Sequence, residues 1–457
     1  MRFQTVHTPT SLTEGPISQA LISFALPLLL GNLFQQLYNT ADSLIVGNFL
    51  GSEALAAVSS SGNLIFLMVG LVNGVSMGAG VVIARYFGAK DYDRIQKTIH
   101  TLLAFGLVAG ALLTVVGVAL SPVMLRLMDT PETVLPNSIS YFRTYFTGSL
   151  AFVLYNICMG ILQAVGDSRH PLQYLIISSL VNVVLDLLFV GVFHMGVWSA
   201  AAATAISQLV SMALCLLRLM RSERAYRVSP RKIRFDRRAL LEILQNGLPA
   251  GLQSVMYSLS NIIIQASVNG FGTDVMAAYT AYGKVDGMYW MVINAFGVAI
   301  TTFVGQNFGA RLYDRMKKSI NVCLGIAAAV TLLLSGVLMV VAEPLLGLFS
   351  DDAQVLEIGL SIVRLIVPTY ITYIFIEILS GAMRGAGDSL IPTIMTLTGV
   401  CLLRVFWVTV VVSAHHELNV LLLSYPITWI VTSGMFMVYY LRGRWLKRCI
   451  ALQNAEN

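Results

Sequence analysis

The chain has 457 residues, of which 56% are hydrophobic and only 11% charged, with a formal net charge of +6 and a mean hydropathy of +0.76. Soluble domains carry about 25% charged residues, so water is excluded as the main solvent of this surface. The five cysteines, Cys158, Cys215, Cys323, Cys401 and Cys449, are scattered singly, which argues against a disulfide framework or a metal cluster.

A membrane-crossing helix needs about 20 mostly apolar residues. After a polar N-terminal segment, 1–17, the chain offers twelve such stretches: 18–48, 54–84, 95–120, 135–165, 171–193, 196–218, 240–270, 275–305, 317–342, 356–384, 391–413 and 418–441. The first run is too long for a removable signal peptide and lacks a clear small-residue cleavage site, so it is read as a retained span. The runs are continuous rather than alternating, which argues against a β-barrel. Several exceed what the bilayer requires, so tilt or extension into water is expected. The expected fold class is an all-α membrane protein with twelve transmembrane helices.

Lysine and arginine set the orientation of such a chain. Outside the spans they gather on one side: Arg2, then Arg85, Lys90, Arg94 and Lys97 after the second span, and Arg169 after the fourth. Between the sixth and seventh spans come Arg218, Arg221, Arg224, Arg227, Arg231, Lys232, Arg234, Arg237 and Arg238. Arg311, Arg315, Lys317, Lys318, Arg384, Arg442, Arg444, Lys447 and Arg448 fall on the same side, and the other side holds Arg126 with the acidic Glu343, Asp351, Asp352 and Glu357. Both termini are therefore expected in the cytoplasm, at a bacterial inner (plasma) membrane. Topology accounts for the basic loops, so no nucleic-acid partner is expected.

The sequence repeats itself at an offset of 221. Arg85–Ile99 reads RYFGAKDYDRIQKTI and Gln306–Ile320 reads QNFGARLYDRMKKSI. Gly160, Gly166, Asp167, Ser168 and Pro171 align with Gly381, Gly387, Asp388, Ser389 and Pro392, and Arg143 with Arg364. One residue of slippage brings Pro27 over Pro249. Each copy covers six spans, so both insert with the same orientation, an arrangement typical of transporters with the binding region at the repeat interface. The expected organisation is an N-terminal six-helix lobe, 18–218, a basic cytoplasmic linker acting as a hinge, 219–238, a C-terminal six-helix lobe, 239–441, and a cytoplasmic tail, 442–457.

A charged side chain at the centre of a spanning helix costs roughly 2.5–3.5 kcal/mol on insertion scales, so such residues are functional candidates. The first lobe has two, Asp42 in span 1 and Asp186 in span 5. Helical spacing puts Gln35, Tyr38 and Asp42 on one face, with Asn39 beside them, and likewise pairs Asn182 with Asp186 and Thr204 with Gln208. Asn156 adds an amide from span 4. Together these predict an oxygen-rich pocket in which burial and like charge both disfavour ionisation, suited to proton uptake or to sodium. An alternative is a hydrogen-bonded tie between helices. The second lobe lacks the cluster: Trp407 stands at the position of Asp186, Leu403 at that of Asn182, and isoleucine at that of Asp42. Its own polar residues are Lys284 and Asp286, close enough in sequence to neutralise each other or neighbours, and Glu377, which stands at the position of Asn156; with Gln35 and Asn39 these are candidates to line a substrate cavity. Arg143, Arg364 and Arg404 are expected to snorkel or to pair with acids. Pro27, Pro249, Pro368 and Pro426 should kink their helices, while Pro171 and Pro392 read as first-turn residues. Met288 and Met291, flanking Tyr289 and Trp290, either line an adaptable substrate cavity or face lipid and neighbouring helices.

These residues resemble the multidrug and toxic compound extrusion (MATE) family, over nearly the whole chain from about Pro27 to the last span. The resemblance rests on PLLLGNLFQQLYNTADSLIVGNFLGSEALAAV, on the twin FGA-x-x-YDR loops, on VGQNFGA, and on GDS-x-x-P after spans 4 and 10. It implies two pseudo-symmetric six-helix lobes, within the wider multidrug, oligosaccharidyl-lipid and polysaccharide exporter superfamily. It also implies export of small organic, often cationic, compounds against inward proton or sodium flow. The chain looks most like the DinF-like branch, in which the cation site lies in the N-terminal lobe. The residues matching that site are Asp42, Asn182, Asp186 and Thr204, with Tyr38 and Asn156 near it. Another branch uses a glutamate in span 7, where this chain has Gln253, Asn261 and Gln265 but no acid, which puts a coupling site in the C-terminal lobe in doubt.

The expectation is thus a secondary antiporter working by alternating access, with no cofactor beyond H+ or Na+ as coupling ion, and a monomer in the lipid bilayer. An alternative is a flippase for a lipid-linked precursor, or an exporter of an endogenous metabolite. No zinc-type histidine pair, Ser–His pairing or phosphate loop lies on the spans, so no enzyme activity is expected.

Overall fold

The structure, a computed structural model, describes residues 12–127, 130–222, 224–350 and 352–456. Arg2 and Asp351, used above for orientation, lie outside the described residues. Among the described residues there is no strand. Backbone amides and carbonyls find no partners in hydrocarbon, so long apolar runs must satisfy them internally as helices.

The first half comprises α1 (Ile17–Leu50), α2 (Ser52–Gly88), α3 (Tyr92–Leu127), α4 (Leu135–Thr147), α5 (Ser149–Ala164), α6 (Arg169–Asp186) and α7 (Trp198–Met220). The second comprises α8 (Arg237–Asn269), α9 (Thr273–Gly309), α10 (Tyr313–Gly347), α11 (Ala353–Ile366), α12 (Tyr370–Gly385), α13 (Leu390–Thr396), α14 (Leu403–Phe406), α15 (Leu418–Leu422) and α16 (Ser424–Leu441), with α17 (Arg444–Glu456) as a tail helix. Among the described residues nine helical stretches are long and apolar enough to cross a membrane, ten when α4 and α5 count as one bent span. α2 and α8, of 37 and 33 residues, complete twelve.

Several spans are less regular than their sequences suggest. Span 4 is not one helix: α4 and α5 meet at 47° across Gly148, where a Cβ would lie 2.6 Å from the Cβ of Ala205 on α7. The tenth span breaks at the 3₁₀ turn Val367–Thr369, which carries Pro368. π-Helical turns follow α6 at Leu187–Val192 and flank α14 at Leu397–Leu402 and Trp407–Val412. Pro171 and Pro392 sit in the first turns of α6 and α13, as expected, and Pro27 and Pro249 lie inside α1 and α8.

The duplication is visible in the backbone. Left-handed residues recur as pairs 221 positions apart: Gly51 (φ 86°) and Gly272 (φ 103°), Lys90 (φ 56°) and Arg311 (φ 60°), Gly166 (φ 88°) and Gly387 (φ 98°). Each of the last two pairs ends a helix with the same wide backbone bond: Asp91 N–H to Tyr86 O and Leu312 N–H to Asn307 O, then Asp167 N–H to Leu162 O and Asp388 N–H to Met383 O. In GDS-x-x-P the glycine makes this turn and the aspartate then caps the next helix, accepting from His170 N–H (3.2 Å) in one copy and Ile391 N–H (3.3 Å) in the other. Burial alone would raise the Asp167 carboxyl, but the hydrogen bond and charge of His170 hold it below the usual carboxylate range.

Two compact units emerge. Leu26–Gly251 belongs to one, and Leu12–Ala25 together with Leu252–Asn457 forms the other. α1 and α8 therefore each change unit part-way, at Ala25–Leu26 and Gly251–Leu252, beside Pro27 and Pro249. In the first unit the segment expected as a hinge linker is fastened down: Gln96 donates to Ala225 O and Arg227 O, Ser229 N–H donates to His100 Nε2 (3.0 Å), and Tyr226 and Val228 are buried. Tyr86 at the end of α2 donates to Glu242 at the start of α8. In the second unit VGQNFGA holds the N-terminal segment: Gln306 Oε1 accepts from Leu12 N–H (3.2 Å), Asn307 donates to Leu12 O (3.2 Å), and Arg315 donates to Gly15 O (2.8 Å).

Gly74 and Gly78 of α2 lie against Gly251 and Gly247 of α8, all within the first unit. A Cβ on Gly74 would stand 2.3 Å from Gly251 backbone, and one on Gly78 2.2 Å from Gly247 backbone. Small residues four apart on both helices let the backbones touch, which is how membrane helices gain contact without a hydrophobic drive. Gly78→Leu and Gly247→Leu should each force the helices apart. A melting experiment in detergent should show a loss of about 3 kcal/mol or failure to fold, whereas Gly325→Leu, at an exposed position with open space, should melt close to the wild type.

Candidate functional site

α1 brings Gln35, Tyr38 and Asp42 to one face inside the first unit, all half-buried, while Asn39 is exposed and stands apart from them. The Tyr38 and Gln35 side chains are hydrogen-bonded to each other. α6 contributes Asn182 and Asp186, both fully buried. Asp186 is the last α-helical residue before the π turn Leu187–Val192, a widened turn of the kind found at functional sites.

The carboxyls of Asp42 and Asp186 stand within hydrogen-bonding reach of each other. As carboxylates both only accept, so this contact becomes a hydrogen bond only when one carries a proton. Without it, Asp42 Oδ1, both Asp186 oxygens and both polar atoms of Asn182 are buried and have no partner among the described residues, and the same holds for Gln208 Oε1 on α7. Among the described residues neither acid is in an ion pair; the ion pairs lie elsewhere. An unpaired buried charge costs several kcal/mol, so this arrangement calls for a positive charge: a shared proton, or a hard cation held by carboxylate and amide oxygens.

Two further predicted members play smaller parts. Thr204 is buried on α7, but its hydroxyl donates to Ala200 O of its own helix (3.1 Å). Asn156 is half-buried on α5, and its amide donates to Phe152 O of its own helix (2.8 Å). The structure adds Tyr141 of α4, buried near Asp42, with the ring of Tyr145 one turn on and 6.4 Å from its own. Their i, i+4 spacing was the available signal.

The second unit answers differently. Asp286 accepts hydrogen bonds from Tyr282 (3.0 Å), Trp290 Nε1 (2.7 Å) and Tyr370. Lys284 is exposed and makes no ion pair with Asp286 among the described residues, so the expected mutual neutralisation does not occur; two residues apart on a helix, they point to different sides. Tyr289 stacks on Tyr370 at 3.9 Å, and Trp290 meets Tyr373 and Trp429 edge-on, so the middle of the Met288–Met291 segment is an aromatic cluster. Met288 is 45% exposed and Met291 half-buried. Glu377 lies 3.9 Å from Arg384, and its carboxyl occupies the space that a Cβ on Gly297 would need. Arg404 does not snorkel and pairs with no acid among the described residues: it is 3% exposed, lies 4.4 Å from the Tyr425 ring centroid and donates to Thr428 (3.4 Å). Guanidinium is weakly hydrated, so an aromatic face can hold it in the interior.

Known proteins agree with this architecture. The MatE family profile matches twice, over residues 27–188 and 249–410, once per half. The chain is 29% identical over 437 residues to the probable multidrug resistance protein YoeA of Bacillus subtilis, covering 94% of each. It is 28% identical over 436 residues to the probable multidrug resistance protein YpnP of the same organism, covering 95% of this chain and 97% of that one. A solved transporter of the MOP superfamily from Pyrococcus furiosus superposes with a TM-score of 0.89 at 24% identity, over 97% of this chain and 98% of that one.

The two units make opposite predictions for carboxylate removal. Asp186→Asn deletes an uncompensated charge and should leave the melting temperature in detergent unchanged or higher. Asp286→Leu removes the acceptor shared by Tyr282, Trp290 and Tyr370 and should cost about 3 kcal/mol. Equal losses in the two variants would contradict the distinction.

Proposed function

The chain belongs to the MatE family of multi-pass membrane transporters, and from that premise we propose that it exports small organic, often cationic, compounds in exchange for protons or sodium. The single observation that supports the coupling site is the unpartnered Asp42–Asp186 pair with Asn182 beside it. Relatives named as probable multidrug resistance proteins support the substrate class.

Charge bookkeeping gives the step. Entry of a cation between the two carboxyls removes their repulsion; its departure restores it. Each state favours a different packing of α1 against α6, and Pro27, next to the point where α1 changes unit, supplies a place for that helix to bend. A cation moving inward gains roughly 2.3 kcal/mol per 100 mV, about fortyfold in equilibrium. The basic loops support a reading with both termini in the cytoplasm; the proposed membrane is the bacterial inner membrane and the proposed state a monomer.

The test is transport in vesicles. Purified protein in liposomes containing ethidium should move the dye when a proton or sodium gradient is imposed, and one of the two gradients should suffice. Asp42→Asn and Asp186→Asn should each abolish gradient-driven flux, while Lys284→Gln should keep it. Wild-type flux in both aspartate variants would refute the assignment.

A further inference from the structure

A second binding feature lies in the other unit, at the ends of the last two spans nearest the C-terminus. α13 and α16 border a groove of about 590 Å³, in the size range of small-molecule sites. Its walls are apolar: Ile391, Ile394 and Met395 on one side, Met435 and Val438 on the other. Ile394, Met435 and Val438 are exposed, so the groove opens outward from the helices. Its floor is left open by Gly434, where a Cβ would meet no heavy atom within 4 Å.

One end of the groove is basic, lined by Arg442 and Arg444. The backbone sets this mouth. α16 ends at Leu441, and the chain turns at Gly443 (φ 64°) into α17, anchored by buried Trp445 and Cys449 and by Trp445 stacking on Tyr440 at 5.7 Å. Arg448 is committed elsewhere, to Asp388 at 3.8 Å and to Tyr439. Arg442 and Arg444 are in no ion pair among the described residues.

We infer that this groove binds one anionic phospholipid, in the leaflet on the side of the two termini, with acyl chain along α13 and α16 and its phosphate between Arg442 and Arg444. The apolar walls fit hydrocarbon and nothing charged. Two unpaired guanidiniums fit a phosphate diester, each able to give two parallel hydrogen bonds. A zwitterionic headgroup brings its own ammonium to the arginines and loses that preference. Membrane orientation accounts for arginines at this depth, but not for an open cleft that ends on them.

The full chain, released from nanodiscs of equal phosphatidylglycerol and phosphatidylcholine, is weighed by native mass spectrometry. The wild type should retain one phosphatidylglycerol in preference to phosphatidylcholine. Arg442→Gln and Arg444→Gln should each weaken that affinity about fivefold. Gly434→Leu keeps every charge, fills open space without an internal clash and should also lose the lipid; an unchanged melting temperature shows that it has folded. Equal retention of the two lipids by the wild type, wild-type affinity in Gly434→Leu, or displacement of the lipid by inorganic phosphate alone would each overturn the inference.

Discussion

Two carboxyl groups that meet inside an apolar helix bundle, with no base and too few donors among the described residues, are the constraint on which the functional account rests. Everything around Asp42 and Asp186 keeps the problem unsolved. Asn182 offers an amide whose atoms are themselves unpartnered, and Thr204 spends its hydroxyl on its own helix. A fold selected only for stability would have replaced such a pair by apolar residues or closed it with an arginine. Under the proposed coupling, a site that gains and loses a positive charge has to stay open to both states.

The second unit shows what closure looks like. Asp286 receives three neutral donors, and Arg404 lies over Tyr425 within hydrogen-bonding distance of Thr428. At the position of Asp186 stands Trp407, whose indole donates to Val420 O (2.8 Å). The π turn is nonetheless kept in both copies, at Leu187–Val192 and Trp407–Val412. The distortion thus does not depend on the acid beside it. One scaffold duplicated, and the two copies then diverged in what they place at that turn.

Much of this was legible in the sequence. Continuous apolar runs bounded the spans because hydrocarbon leaves the backbone no choice, and the loop motifs were legible because left-handed turns at Lys90 and Arg311, or at Gly166 and Gly387, demand similar residues twice. Asp42, Asn182 and Asp186 stood out because acids and amides are costly there. The bend at Gly148 was hidden, since it depends on how closely Ala205 approaches from a helix far along the chain. The π turns were hidden too, as their residues are ordinary Leu, Val and Phe. Lys284 and Asp286 misled because nearness in sequence is not nearness on a helix face.

The central claim concerns protons and cations on two carboxyls, and infrared difference spectroscopy reads carboxyl groups directly. Purified protein in lipid should show a protonated-carboxyl stretch that disappears as the medium is made alkaline or as sodium is added, and that is altered in both Asp42→Asn and Asp186→Asn. A band insensitive to both pH and sodium, or one that persists unchanged in both variants, would contradict the account.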